Sequence, residues 1–155
     1  MNTTYRAARL KDAEVLTMMS TELYGEMISR KNLAQNKIVA TLFFYEQRHN
    51  MGAVHVIECD GELAGYAISF CYWSNEYGGL ILGIDELYVR RLHRRKGIAG
   101  NFIRSLIRAG GHDQSYAGIE FSMHAGNDAA VKFLDALDIP RNAQSTYVRL
   151  FGKEY

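Results

Sequence analysis

The chain has 155 residues, with 18 Lys+Arg against 17 Asp+Glu, a net charge of +1, 48% hydrophobic and 23% charged residues. This is ordinary globular composition, long enough for one domain over residues 1–155 with a real core. The near balance of charge speaks against a general nucleic-acid binder, and no run of about 18 apolar residues exists to span a membrane.

The first twelve residues carry no apolar h-region, so no secretory signal is expected. Cys59 and Cys71 both fall in predicted strands, with no C-x-x-C spacing. They are read as reduced core residues of a cytoplasmic protein. The five histidines show no metal-ligand spacing, and no metal is expected.

Taken in order, Thr4 to Ala8 reads as a strand. Asp12 can cap a helix to about Tyr24, with Val15, Leu16, Met19 and Leu23 at helical spacing. Residues 25–35 are a polar connection. Asn36 can cap a second helix, Lys37 to about Arg48, whose Leu42-Phe43-Phe44-Tyr45 run reads as core or as a wall of a substrate pocket. Val54–Cys59 and Gly65–Trp73 read as strands around Asp60-Gly61, a hairpin with a loop longer than two residues. Leu80–Val89 is apolar on both faces, which marks a central strand.

Next comes the most informative stretch. Arg90 to Lys96 holds five Arg/Lys and one His in seven residues. Gly97-Ile98-Ala99-Gly100 then opens an amphipathic helix with Ile98, Phe102, Leu106 and Ala109 on one stripe, ended by Gly110-Gly111. Small residues at a helix start let a ligand approach the backbone, and the unpaired N–H groups and dipole there favour a phosphate. Flanking arginines add charge-assisted contacts. A plain nucleic-acid patch or a solvated basic turn would have the same composition. Gly118–His124 is a strand, Asn127 can cap a helix Asp128–Leu137 stopped by Pro140, and Ser145–Gly152 is the last strand. The order gives an α/β sandwich on a mixed sheet.

Arg94-Arg95-Lys96-Gly97-Ile98-Ala99 fits the pattern R/Q-x-x-G-x-G/A, and Leu87-Tyr88-Val89 before it fits a strand end L-x-V. Neither the Walker A pattern nor the dinucleotide fingerprint is present. The stretch resembles the acyl-CoA-binding core of the GNAT superfamily of N-acetyltransferases, and the element order extends the resemblance over nearly the whole chain. It implies an α/β GNAT fold, a mixed, mostly antiparallel central sheet flanked by helices. It also implies acetyl-CoA as co-substrate and an amine acceptor, a small molecule or a peptide amine, with no nucleic acid and no membrane as partner. A homodimer is a further expectation of the family.

The same resemblance implies site residues. Leu87, Tyr88 and Val89 would hold the pantetheine arm and thioester carbonyl through their backbone. Arg95, Lys96, Gly97, Ile98, Ala99 and Gly100 would wrap the pyrophosphate, with Arg94 opening the motif. The family pattern N-x-x-A-x-x-F/L-Y is matched at Asn127, Ala130 and Phe133, so Asn127 would touch the pantetheine; it can equally be a plain helix cap. The family's Tyr, often the acid that reprotonates the thiolate, is Leu134 here, and the L-G-F that often follows is Leu137-Asp138-Ile139. Tyr147 and Tyr88 are the remaining candidates for that acid.

Acetyl transfer to an amine needs a base or a water chain to take a proton. Asp85 and Glu86 are adjacent on the central strand, hence expected on opposite faces with only one reaching the cleft. Glu86 is the first candidate because its arm is longer; Asp85 is the second. Either can instead bind a cationic acceptor. Glu22, Tyr24, Glu26, Tyr45, Glu46, Glu76 and Tyr77 are expected near the acceptor. The competing function is a catalytically silent CoA-binding or sensor module, favoured by Leu134.

Overall fold

The structure, a computed structural model, describes residues 1–26, 37–123 and 126–143. Its two compact units comprise residues 1–124 and 125–155.

The first unit is built on a five-stranded sheet in the order β1-β2-β3-β4-β5. The strands are β1 Thr3–Ala7, β2 Gly52–Cys59, β3 Glu62–Ser74, β4 Gly79–Val89 and β5 Tyr116–Phe121. The first four run antiparallel and β5 pairs parallel to β4. This is the mixed, mostly antiparallel sheet expected. The β2–β3 connection is tighter than expected: Asp60 and Gly61 alone form it, both at positive φ (51° and 86°). Two such residues twist the turn to match the strands, so no longer loop is needed.

Helices α1 (Ala13–Glu26) and α2 (Lys37–Glu46) cover one face. Leu16, Met19, Ile38 and Leu42 bury against Val54, Val56, Tyr66, Ile68 and Tyr88. Asp12 closes a short 3-10 turn before α1 and is buried. It accepts from Arg6 through both carboxylate oxygens (2.8 and 3.0 Å) and from the Arg9 N–H (2.8 Å). Among the described residues its carboxylate thus answers Arg9 and Arg6, which precede it, as the acidic member of a capping box on the 3-10 turn, rather than capping an N–H of α1 as expected.

Helix α3 (Ile98–His112) covers the other face. Phe102 packs against the rings of Tyr5 (5.2 Å) and His55 (5.4 Å), and His55 Nε2 is 2.8 Å from Ser69 Oγ. The buried positions of α3 are Ile98, Gly100, Phe102 and Ile103, while Ala109 is exposed. The expected stripe thus holds at Ile98 and Phe102, fades at half-buried Leu106 and is lost at Ala109, because the sheet is met mainly by the first two turns. Gly110 and Gly111 lie inside the last turn rather than ending it.

In the second unit, α4 spans Asp128–Asp135. Asn127 caps it as expected, its side-chain oxygen accepting from the Ala130 N–H at 3.1 Å. Leu134 is buried. The expected strand Ser145–Gly152 and the cap Asn36 lie outside the described residues. No helix among the described residues is long and apolar enough to cross a membrane.

Candidate active site

The site is organised by an irregularity in β4. Ile68 of β3 pairs with Glu86, but its neighbour Ser69 pairs with Ile84, so Asp85 is an extra residue without a partner. Such a bulge breaks the two-residue alternation of side chains. Glu86 and Tyr88 lie on the α1/α2 face with Tyr66 and Ile68, whereas Ile84 joins Ser69 on the α3 face. The expectation that Asp85 and Glu86 point to opposite faces fails here. Both carboxylates act electrostatically on the same phenol, Tyr24 of α1, and Asp85 acts also on Tyr45 of α2.

Glu86 is gripped by two phenols. Tyr24 donates to Oε1 at 2.5 Å and Tyr66 donates to Oε2 at 2.6 Å. Burial, reinforced by the facing carboxylate, pushes both phenols well above their ordinary range, so they stay protonated donors. Asp85 keeps surface open to solvent, yet crowding at the bulge desolvates its carboxyl and raises it above the usual carboxylate value.

The β4–β5 ladder ends at Ile84–Phe121, while β4 runs on to Val89. Residues 85–89 therefore present an edge that β5 does not cover. Directly after this edge the chain makes a 3-10 turn at Arg91–His93 and enters α3 through Arg95 and Gly97, both left-handed (φ 61° and 77°). No side chain caps the first turn of α3. The space where a Gly97 side chain would stand is open, its nearest neighbour being Asn101 Nδ2 at 3.8 Å. Arg95, Lys96 and Gly97 are exposed, Ala99 is half-buried, and Ile98 and Gly100 are buried. The result is a helix start whose free N–H groups are suited to an anion, with open space beside Gly97.

Arg94 does not point freely at this opening. Its Nε donates to the Val89 carbonyl (2.6 Å), its Nη2 reaches Glu26 (2.9 and 3.1 Å), and its guanidinium lies 5.2 Å from the Tyr88 ring centre. Arg91 also pairs with Glu26 (3.1 Å), Arg90 pairs with Glu22 (3.2 Å), and the Tyr88 hydroxyl donates to Glu22 and Glu26. Burial and these acids push Tyr88 up to about 12, so it is a poor proton donor. A groove of about 540 Å³ is lined here by Glu22, Gly25, Glu26, Tyr88, Arg90 and Arg91, with Leu92. Glu22 and Glu26, expected near the acceptor, are paired with the basic turn. Leu87 is half-buried on the open part of β4, and Tyr147 lies outside the described residues.

Sequence reasoning placed Tyr24 near the acceptor but did not link it to Glu86, and it passed over Tyr66. The one available signal was the strand period, which sets Tyr66 and Ile68 on one face of β3. Both cysteines are free; Cys59 is buried, but Cys71 is only partly so, its Sγ 3.4 Å from the Tyr116 hydroxyl. Among the described residues no cluster of His, Cys, Asp and Glu could hold a metal ion.

A β4 strand that outruns β5 beside an open helix start, with two carboxylates where the pairing ends, is an arrangement suited to an acyl-CoA-using transferase. Residues 19–138 match the acetyltransferase (GNAT) family, and the chain belongs to that family. Solved structures share the fold. A possible acetyltransferase from Clostridium difficile 630 is 18% identical, with a TM-score of 0.82 over 97% of this chain and 98% of that one. The ribosomal-protein-alanine N-acetyltransferase from Brucella melitensis biovar Abortus 2308 is 20% identical, with a TM-score of 0.76 over 97% and 100%. AAC(6')-Iy in complex with the bisubstrate analog CoA-S-monomethyl-acetylneamine is 15% identical, with a TM-score of 0.70 over 97% and 99%. No curated protein sequence is a significant match.

Proposed function

We propose that the protein moves an acetyl group from acetyl-CoA to a primary amine, of a small molecule or a peptide, by direct attack in a ternary complex. The observation that carries this reading is the edge of β4 at residues 85–89, which β5 does not cover and which runs straight into the left-handed entry of α3. An extended pantetheine arm can add to that edge as a strand would. The pyrophosphate then meets the N–H groups of residues 95–100 at the helix start. Arg94 shapes the loop from behind through Val89, and Arg95 and Lys96 supply the exposed positive charge. Asp85 and Glu86 sit where the edge begins, beside the position that the thioester would take. They supply the base and the attraction for an ammonium group. On the family's pattern Asn127 keeps the role of pantetheine contact, and Tyr147 stays a candidate for the acid in place of the family's Tyr. The setting we expect is a cytoplasmic homodimer.

The silent CoA-binding alternative is favoured by one observation, the buried Leu134 at the family's Tyr position. A thiolate can leave unaided or take its proton from water, so loss of that Tyr does not by itself stop the reaction. Calorimetric titration with acetyl-CoA, CoA and ATP tests the coenzyme first. Selective binding of the two coenzymes is expected, and thiol release with a panel of amines then separates transferase from sensor. Absence of binding to either coenzyme would overturn both readings.

A further inference from the structure

Resting on that reading, we propose that Tyr24 and Tyr66 are positioning residues that fix Glu86 as the seat for the acceptor's ammonium group, leaving Asp85 to take the proton. The two carboxylates are neighbours in sequence but not in environment. Glu86 already accepts one phenol on each oxygen, from α1 and from β3. These two donors hold the carboxylate in one orientation from two separate elements. Among the described residues no cation pairs with it. A carboxylate so fixed is suited to hold an ammonium and aim its nitrogen.

Asp85 is the extra residue of the bulge, so the ladder does not prescribe its place. The groups facing it are Glu86 beside it, Tyr24 of α1 and Tyr45 of α2. Its raised proton affinity comes from desolvation. Neighbouring carboxylates with divergent surroundings divide the roles of charge partner and base.

The step balances. The acceptor enters as R–NH3⁺ on Glu86, and one N–H proton passes to the Asp85 carboxylate. The nitrogen lone pair attacks the thioester carbonyl, and the C–S bond breaks with its electron pair going to sulfur. The second N–H proton passes to the thiolate, giving the amide and CoA thiol. Asp85 then releases its proton to water.

The experiment measures kcat, KM for the amine and Kd for acetyl-CoA in the full chain. The acceptor is the fastest in a thiol-release panel of an alkyl monoamine, α,ω-diamines, an aminoglycoside and an N-terminal alanine peptide. Asp85→Asn should lower kcat by about 100-fold or more and remove the acid limb of the kcat–pH profile. Glu86→Gln should act mainly on KM, raising it about 10-fold or more. Tyr24→Phe should raise KM about 3- to 10-fold and leave that acid limb in place. The double variant Tyr24→Phe/Glu86→Gln should be no worse than Glu86→Gln, since the phenol acts only through the carboxylate. Acetyl-CoA affinity should be unchanged throughout. Additive losses in the double variant, a retained kcat in Asp85→Asn, or a kcat rather than KM effect in Glu86→Gln would overturn the assignment while leaving acetyl transfer intact. Coenzyme binding with no thiol release for any amine would overturn acetyl transfer itself, and this assignment with it.

Discussion

Arg94 Nη2 lies 2.9 Å from Glu26 Oε2, which ties the turn that opens α3 to the last residue of α1. Arg91 shares the same carboxylate. Partial burial works against the charge on Glu26, but Arg94 and Arg91 outweigh it and hold the carboxyl below its ordinary value. Arg94 and Glu26 keep about a third of their side-chain surface in solvent (36% and 28%) and Arg91 most of it (77%), so screening keeps their effect on stability small, below about 1 kcal/mol. Their effect on an arriving phosphate is larger, because Glu26 offsets the positive charge beside it. Glu26→Gln should therefore tighten CoA binding about 2- to 10-fold at low salt, with the gain fading as salt screens it. Calorimetry at two ionic strengths measures this. Weaker binding would mean that Glu26 serves to order the loop.

Gly97 enters α3 at φ 77° with open space around it. Gly97→Ala meets no clash but must hold a left-handed backbone, costing about 1–2 kcal/mol. Gly97→Glu adds bulk and negative charge at the helix start and should abolish CoA binding while the domain stays folded. Chemical denaturation beside CoA titration separates the two effects. Undiminished CoA affinity in Gly97→Glu would contradict the phosphate-loop reading.

Gly83 leaves room for an aromatic ring. A side-chain carbon there would stand 2.1 Å from Phe70 Cζ, and Phe70 stacks on Tyr72 at 6.3 Å. Gly83→Ala should destabilise the fold by about 1–3 kcal/mol as the ring is displaced. In a Phe70→Ala background most of that penalty should vanish, which a double-mutant cycle by urea denaturation reads directly.

Asp12 joins β1 to the start of α1. The hydrogen-bonded Arg6 guanidinium is the main cause that holds its carboxyl below the ordinary value, against the opposing effect of burial. A carboxyl lowered in the folded state contributes stability above its unfolded value of about 3.9. That contribution is lost as pH falls through the folded value. Asp12→Asn should cost about 2–4 kcal/mol at neutral pH, because it leaves Arg6 with only Glu58 as charge partner. The difference from the unsubstituted chain should shrink below about pH 3. A gap that stays constant with pH would point to packing instead.

The local chemistry of this chain was legible in its sequence. The strand, basic turn and helix from Leu80 to about Ala109 stand where their periodicity placed them, as does the Asn127 cap. Such features depend on the 2.0 and 3.6 periods and on glycine's access to positive φ, which neighbouring residues set among themselves. The partners of those residues were not legible. A one-residue bulge between Ile84 and Glu86 reverses which face each side chain takes, and nothing in the local pattern marks it. Tyr24 and Tyr66 meet Glu86 from 62 and 20 residues away, and Arg94 meets Glu26 from 68. Sequence thus determined the basic turn that opens α3 and the presence of two adjacent acids. Only the tertiary structure decided that the two acids share a face, which of them is held by phenols and which arginine is already paired. Those outcomes depend on the strand register and on how α1 packs against the sheet.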